Sequence, residues 1–597
     1  MTSPPIAAHR LLGDGSSTAL LRPAGEVDWW CAPEMDDPPV LWALLDAGGA
    51  AARWLDVRLA SSAGRAAGPA LTSVLQSPHG RVECRDGLHC ADDRGSSLIR
   101  LVRALDRDLD LTHELSLGGF DQAWAVWERA STVVAGRQVR VLGGESRAEG
   151  RALRTRLCAP RGQWAAVVVT FDPDRDADVA SLLADLDAAV AEDDHLLEHA
   201  TLPKHSPDRA QDALRVLRMC TYARTGAVIA APTTSLPEAP GHERQWDYRY
   251  TWLRDASLAV SVAALLGRRE MADQYLSFVV DMTKDRTLPS GPMTTVRGED
   301  VPTEREITGV AGWAGSLPVR VGNDAKDQVQ YDALGLLVEA ISVYLQEGGG
   351  LQAAVWDLVC AIADELSRDD LQRATSGIWE LREPRDLISA DVGIWLALDR
   401  AIWIARGWRP RTRRRHWKRA RAAARDRVLA ALQDDGGLPQ AYDGDRSADA
   451  SALMVVVFRM LDRRDPRASR LVDATVRALD AAPFLYRYEP GDGDGLSGVE
   501  GAFLPASWWV VSALAACGRV EEAEARAVAL DRALPALLPE EMDPESRQGL
   551  GNAPLVWSHM EAARAMYLLD SAAVRARVGV PGLTLWRTAR WVRARGR

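Results

Sequence analysis

Through residues 1 to about 175, apolar positions alternate with polar ones in short runs at 97–105, 109–117, 124–134, 138–142 and 164–171. Gly, Asp and Pro clusters separate these runs. A period of two marks strands with one face buried, and many short strands in succession predict a sheet sandwich. Ala135-Gly136-Arg137 lies between two runs and reads as a hairpin turn. Gly13-Asp14-Gly15 also reads as turn glycines, and the tryptophans of Val27-Asp-Trp-Trp-Cys-Ala-Pro33 as core residues able to reach another domain. From 176 to 200 the period lengthens. Val179, Leu182, Leu183, Leu186 and Val190 share one side of a helix, with acids on the other, which predicts a linking helix. Pro203 to Pro207 marks its end.

Beyond that boundary the alternation is gone. Amphipathic stretches of helical length follow near 207–223, 253–267, 269–285, 325–347, 350–368, 387–406, 413–433, 447–463, 466–481, 504–518, 519–536 and 553–569. Short joints such as Leu266-Gly267-Arg268 and Ala516-Cys517-Gly518 make successive helices antiparallel neighbours. Six helical hairpins closed into a ring account for the number and alternation, and no tight repeat points to a solenoid. The expected division is a β-sandwich over 1–175, a linker over 176–206, a helical domain over 207–570 and a basic tail over 571–597, read as a solvated end in preference to a contact with a partner subunit. Long loops at 286–324, 370–386, 483–503 and 536–552 interrupt the helices, and loops of that length in a compact domain carry function.

Composition narrows the class. The chain has 597 residues, 47% hydrophobic and 26% charged, with a net charge of −11, so no nucleic-acid or membrane partner is expected. Seven scattered cysteines lack disulfide or metal spacing, and ten histidines do not cluster. Reduced thiols in a cytoplasm fit, with no metal or other cofactor. No basic-then-apolar leader and no apolar run of membrane-spanning length is visible. Tryptophan is plentiful, 21 against 6 Phe and 10 Tyr. Trp serves both carbohydrate clefts and ordinary cores, so its excess alone decides nothing.

Residues 245–258 read Gln-Trp-Asp-Tyr-Arg-Tyr-Thr-Trp-Leu-Arg-Asp-Ala-Ser-Leu, four rings beside two arginines and two aspartates. Rings stack on the C–H faces of a sugar while guanidinium and carboxylate bind its hydroxyls. A helix start with an Arg254–Asp255 surface pair fits the stretch equally well. The loop Ser376-Gly-Ile-Trp-Glu-Leu-Arg382 places Glu380 after a large ring, and an apolar neighbour keeps a carboxyl protonated. The loop Leu538-Pro-Glu-Glu-Met-Asp543 carries a second acid pair. Either acidic loop alone reads as structural. Two carboxylates on separate loops, with an Arg/Asp/Trp cluster between them, are what glycoside hydrolysis requires.

Several segments resemble glycoside hydrolase family 15, the glucoamylase-type hydrolases, in its bacterial form. They are Gly13-Asp-Gly15, Asp28-Trp-Trp-Cys-Ala-Pro33, Trp246-Asp-Tyr-Arg-Tyr-Thr-Trp-Leu-Arg-Asp255, Gly322-Asn-Asp-Ala-Lys-Asp-Gln328 and Gly377-Ile-Trp-Glu380. Ala397-Leu-Asp-Arg-Ala401, Glu500-Gly-Ala-Phe-Leu-Pro505, Glu540-Glu-Met-Asp543 and Gly551-Asn552 through Ser558-His559 continue the order. The resemblance implies a β-supersandwich followed by an (α/α)6 toroidal barrel, and inversion at an α-glucosidic carbon. It implies Glu380 as general acid and Glu540 as general base. Arg254 and Asp255 would bind the non-reducing glucose, with Trp379, Trp252 and Trp313 lining the cleft and Arg487 at a further hydroxyl. The carboxyls would stand roughly 6.5–9.5 Å apart to hold one water.

One segment departs from the family. Leu387-Ile-Ser-Ala-Asp391 stands where bacterial relatives usually read Phe-Thr-His-Ser-Lys, and an acidic leaving-group side of the pocket follows if this segment lines it. The expected activity is exo-acting hydrolysis of a small α-glucoside of the trehalose, isomaltose or malto-oligosaccharide type. Rival readings are an inverting phosphorylase, a biosynthetic enzyme on the same barrel, and a non-catalytic sugar-binding protein. A second carboxylate at Glu540 argues against the phosphorylase and the binding protein.

Overall fold

The computed structural model describes residues 5–62, 64–91, 94–284, 288–289, 291–491 and 496–595. The outermost residues of both termini, and the parts of the long loops at 285–287, 290 and 492–495, lie outside the described residues.

Two antiparallel-dominated sheets make the N-terminal part. One has nine strands, built around Arg10–Gly13, Val27–Cys31, Leu109–Ser116 and Ala152–Ala159; the other has seven, built around Ala70–Ser77, Gly80–Cys90, Ser96–Ala104 and Ala165–Thr170. The sheets face each other, and Arg100 crosses between them. It reaches Asp86 at 2.7 Å on its own sheet, and the Ala52 carbonyl at 3.0 Å on the other. The predicted hairpin forms with Ala135 and Gly136 at φ 50° and 74°, the left-handed pair that a two-residue hairpin needs. Ser96–Ala104 is buried on both faces and so shows no clean alternation. Its outer side is covered by α1 (Val179–Glu198), whose Leu182 and Leu186 pack on Ile99, Leu101 and Val168. The linking helix thus closes the sandwich.

Helices α2 (Pro207–Met219), α3 (Leu253–Leu265), α4 (Arg269–Met282), α5 (Tyr331–Gln346), α6 (Ala353–Glu365), α7 (Ile388–Trp408) and α8 (Arg415–Ala430) follow. Then come α9 (Met454–Val457), α10 (Pro466–Leu479), α11 (Leu504–Cys517), α12 (Val520–Ala533) and α13 (Val556–Arg595). They are of two kinds. Helices α3, α5, α7 and α11 are buried on nearly every side, whereas α6, α8 and α12 bury a single stripe. Contacts run from α3 to α5 to α7, and from α11 to α13 to α3.

Two expectations change. The stretch 447–463 forms only a 3-10 turn, Ala450–Leu453, and the four-residue α9. Asp449 turns back to cap the turn at Ser451 N, and Arg459 takes a left-handed φ of 66°, which ends the helix. The end of the chain is not a bare solvated tail. Helix α13 runs through it with a break at Gly579, and Arg590 donates to the carbonyls of Thr201 and Leu202.

The sandwich and the helical part meet at the early motifs. Trp29 Nε1 donates to the Pro232 carbonyl at 2.7 Å, and Arg249 to that of Asp37 at 2.6 Å. Gly15 is a turn glycine with φ 79°. Gly13 instead ends a strand, where a Cβ would lie 2.9 Å from Met219 Cβ of α2, so its role is close approach.

Candidate active site

The loop carrying Glu380 is clamped at its base by a two-residue strand pair, Ala374–Thr375 with Arg385–Asp386. Inside it the chain turns tightly, with Leu381 N donating to the Ser376 carbonyl at 2.9 Å. Gly377 and Glu380 both take left-handed backbone, φ 63° and 59°. For a glutamate that conformation is uncommon and costs on the order of 1–3 kcal/mol, offset by the contacts that fix the side chain. Glu380 Oε1 accepts from Trp252 Nε1 at 2.9 Å and from Arg254 Nη2 at 3.0 Å. Arg254 also donates to the Ile378 carbonyl at 2.8 Å and to Asp255 at 3.0 Å, and lies 4.8 Å over the Trp557 ring. One planar fork at the start of α3 therefore holds both the loop backbone and its carboxylate. The surface-pair reading of Arg254 and Asp255 fails, because both are buried.

Glu540 sits beside a three-stranded sheet, Ala502–Phe503, Glu541–Met542 and Gly549–Leu550. Tyr248 donates its hydroxyl to Glu540 Oε1 at 2.7 Å, and the Asn552 amide donates to Oε2 at 3.3 Å. At Gly551, φ 69°, a Cβ would run into this carboxylate, so glycine is required for the approach. Neighbouring side chains in extended backbone point to opposite faces, and this separates the acid pair. Glu540 faces the cavity; Glu541 turns away and accepts from Gly501 N at 2.8 Å.

Burial pushes Glu540 well above the usual carboxylate range and Glu238 adds to it, while Arg487, Tyr248 and Asn552 pull it down. Burial likewise raises Glu541, with Glu500 and Glu238 beside it. Asp255 is pushed up to about 6 by burial, against the pull of Arg254.

Glu380, Glu540, Arg254, Asp255, Trp379, Trp252 and Arg487 line one cavity of about 630 Å³. Trp379 is held by a 2.8 Å bond from Nε1 to Asp449, with its ring edge-on to Phe503 at 5.5 Å. Rings also connect the two carboxylates. Tyr248, which binds Glu540, stands 5.3 Å from Trp252, which binds Glu380. Arg487 spends its donors on Glu500, at 2.6 and 2.7 Å, and Glu238, at 3.0 Å. Carboxylate oxygens of Glu238, Glu500 and Glu541 lie within 4.8 Å of one another, and Arg487 supplies the cation between the first two.

Two expected placements are corrected. Trp313 does not line the cavity; it is 2% exposed in a 3-10 turn, Trp313–Gly315, and packs in the core. Leu387–Asp391 does not line it either. Asp391 is buried in the first turn of α7, 3.3 Å from Arg373 and 3.0 Å from Arg427. The departure from the family pattern is therefore an internal ion pair. Residues to which the motif reading gave no site role are Tyr248, Trp557, Asn552, Glu238 and Asp449. Tyr248 was within the quoted stretch, but a tyrosine there is indistinguishable from another stacking ring until its hydroxyl is seen on Glu540.

A family model for glycosyl hydrolases family 15 matches residues 209–533, which include Arg254, Asp255 and Glu380 and end short of Glu540. The trehalase of Mycolicibacterium smegmatis is 31% identical, over 94% of this chain and 91% of its own length. That of Mycobacterium tuberculosis is 30% identical, over 94% and 89%. A bacterial glucoamylase complexed with acarbose has the same fold, with a TM-score of 0.67 at 12% identity, covering 96% of this chain and 94% of its own. The two-sheet N-terminal part and helical C-terminal part thus form a glucoamylase-like fold. With its acids, rings and guanidinium gathered in one cavity and its sequence matched across more than half its length, the chain belongs to glycosyl hydrolases family 15 and is a glycoside hydrolase.

Proposed function

We propose that the protein is an exo-acting, inverting α-glucoside hydrolase whose substrate is a small disaccharide of the trehalose type. The reading rests on one observation: two carboxylates from different loops face one cavity with different partners, Glu380 on Arg254 and Trp252, Glu540 on Tyr248 and Asn552. The names of the full-length relatives support the choice of disaccharide. A cavity of about 630 Å³ is within the usual range for a small ligand.

In this reading the Glu380 carboxyl protonates the glycosidic oxygen. The bonds to Oε1 leave Oε2 to carry that proton. Glu540, ionised, takes a proton from a water that attacks C1 from the opposite face, and the C1–O bond breaks as the new bond forms. Arg254 and Asp255 bind the non-reducing glucose and Trp379 stacks beside it. Burial makes Glu540 a stronger proton acceptor, while Tyr248 and the Asn552 amide stabilise its ionised form. Arg487 acts mainly by neutralising Glu238 and Glu500 beneath the base.

We further read the helical part as an (α/α)6 barrel, with α3, α5, α7, α9, α11 and α13 innermost, and keep the division at 1–175, 176–206, 207–570 and 571–597. The burial of α3, α5, α7 and α11 on all sides supports this. A cytoplasmic location accords with seven unpaired thiols.

Proton NMR during the first minutes of trehalose turnover tests the mechanism. Inversion releases one β-glucose from the attacked ring and one α-glucose as leaving group, in equal amounts. Two α-glucoses would mean retention and remove Glu540 as base. Failure to cleave trehalose, with turnover of maltose or isomaltose, would change the substrate and leave the mechanism standing.

A further inference from the structure

A net charge of −11 conceals a strongly basic end: residues 571–597 hold seven arginines and no acidic residue. Helix α13 breaks at Gly579, whose φ of 69° and ψ of −171° are non-helical, with Pro581 just beyond. Past the break one face docks onto the protein. Trp586 packs on Tyr567 at 5.7 Å, and Arg590 lies 4.9 and 5.1 Å over those two rings while donating to the Leu202 carbonyl at 3.2 Å.

The opposite face is bare. Leu585 is 71% exposed and Val592 54%, and seven residues apart they share one side of the helix, with exposed Thr588 and Ala589 between them. Val578 and Val580, 53% and 55% exposed, flank the break. Arg577 and Arg587 are exposed on the same segment. Burial, and then the charges of Arg463, Arg464 and Arg587, lower the basicity of Arg575 against the pull of Asp462, so Arg463 and Arg464 of the loop after α9 lie near the segment. Other large exposed apolar side chains among the described residues, Val126 and Val133 among them, lie outside this segment.

We propose that this C-terminal segment is a peripheral attachment site for an anionic lipid surface. The exposed Arg577 and Arg587 meet the headgroups, and Leu585, Val592, Val578 and Val580 enter the boundary with the acyl chains. Apolar side chains flanked by arginines fit that interface. A second copy fits less well, because pairing like faces would bring two segments of seven arginines together. Whole-chain charge predicts no membrane partner, but the local distribution reverses that expectation here. No described helix is long and apolar enough to cross a membrane, so attachment would be to the surface.

Sedimentation of the full chain with vesicles of equimolar phosphatidylglycerol and phosphatidylcholine tests this. Binding is expected to be about tenfold or more weaker to phosphatidylcholine alone, and to weaken as salt is raised. The double substitution Leu585→Ser with Val592→Ser should release the chain from mixed vesicles while hydrolysis continues at the wild-type rate. Absence of binding to mixed vesicles, or binding that the double substitution leaves unchanged, overturns the proposal. So does a mass in lipid-free solution that doubles through this helix in a chain that ignores vesicles, since the face would then serve a second copy.

Discussion

The two acidic loops of the cavity achieve one purpose by opposite means. Glu380 is half-buried on a strained turn, and a guanidinium and an indole N–H hold one of its oxygens. Glu540 is fully buried beside a small sheet, with Glu238 and Glu541 close by and only neutral donors on its own oxygens. In the proposed mechanism the group that delivers the proton is placed by direct contacts and is the less buried of the two. The group that would accept one is made more basic by its burial. The roles therefore depend on environment more than on residue type.

The largest effect should come from exchanging each acid for its amide. Glu380→Gln and Glu540→Gln should each lower turnover of a disaccharide by about 10²–10⁴-fold. α-Glucosyl fluoride distinguishes them, because fluoride leaves with little need of a proton. The Glu380 variant should regain much of its rate on the fluoride and the Glu540 variant should not. Rescue of Glu540→Gln instead would exchange the two roles.

Arg254→Lys should come next, costing about 10²-fold or more in kcat while the chain stays folded. An ammonium cannot span Asp255, the Ile378 carbonyl and Glu380 at once. A loss confined to KM would mean that Arg254 binds sugar without placing the acid. Tyr248→Phe removes one hydrogen bond to a charged partner, a loss of about 1.5–3 kcal/mol, or ten- to about a hundredfold in kcat if all of it reaches the transition state. Tyr248 lowers the pKa of Glu540, so its loss should move the acid limb of the pH–rate profile upward. A profile that does not move would separate Tyr248 from the base.

Much of this was legible in the sequence, and the gaps have physical causes. Period-two runs and helical stretches gave the division into sheets and helices because strands such as Leu109–Ser116 and helices such as α8 bury one face. The motif order brought Glu380, Glu540, Arg254 and Trp379 to one cavity. Trp313 failed because a tryptophan in a loop packs in a core as readily as in a cleft. The stretch 447–463 kept its apolar period but lost its helix to Asp449, which is drawn toward Trp379 and Gln440. Asp391 carried no mark of its partners, since Arg373 and Arg427 lie 18 and 36 positions away in the chain. Asp391→Ala should therefore lower stability by about 1–3 kcal/mol and leave the preference among disaccharides unchanged. A changed preference would return this segment to the leaving-group side.

The smallest effect on turnover should come from the neighbour of the base. Glu541 lies next to Glu540 in sequence but faces the buried cluster with Glu238 and Glu500. Burial and those carboxylates raise its pKa in the folded state, so the folded chain holds a proton there that the unfolded chain has released. Folding stability from this group is present at low pH and is lost as pH rises from the ordinary glutamate range toward the raised value. Glu541→Gln keeps an acceptor for Gly501 N and gives the nearby carboxylates an N–H donor, without a charge to bury. Turnover should stay within about threefold of wild type, a barrier change of less than 1 kcal/mol. The melting temperature of the variant should gain on the wild type as pH is raised from 5 to 8. A melting difference independent of pH would mean that Glu541 is ionised throughout, balanced by Arg487. A loss of turnover as deep as that of Glu540→Gln would mean that the two glutamates act as one unit, and the division between base and buried support would fail.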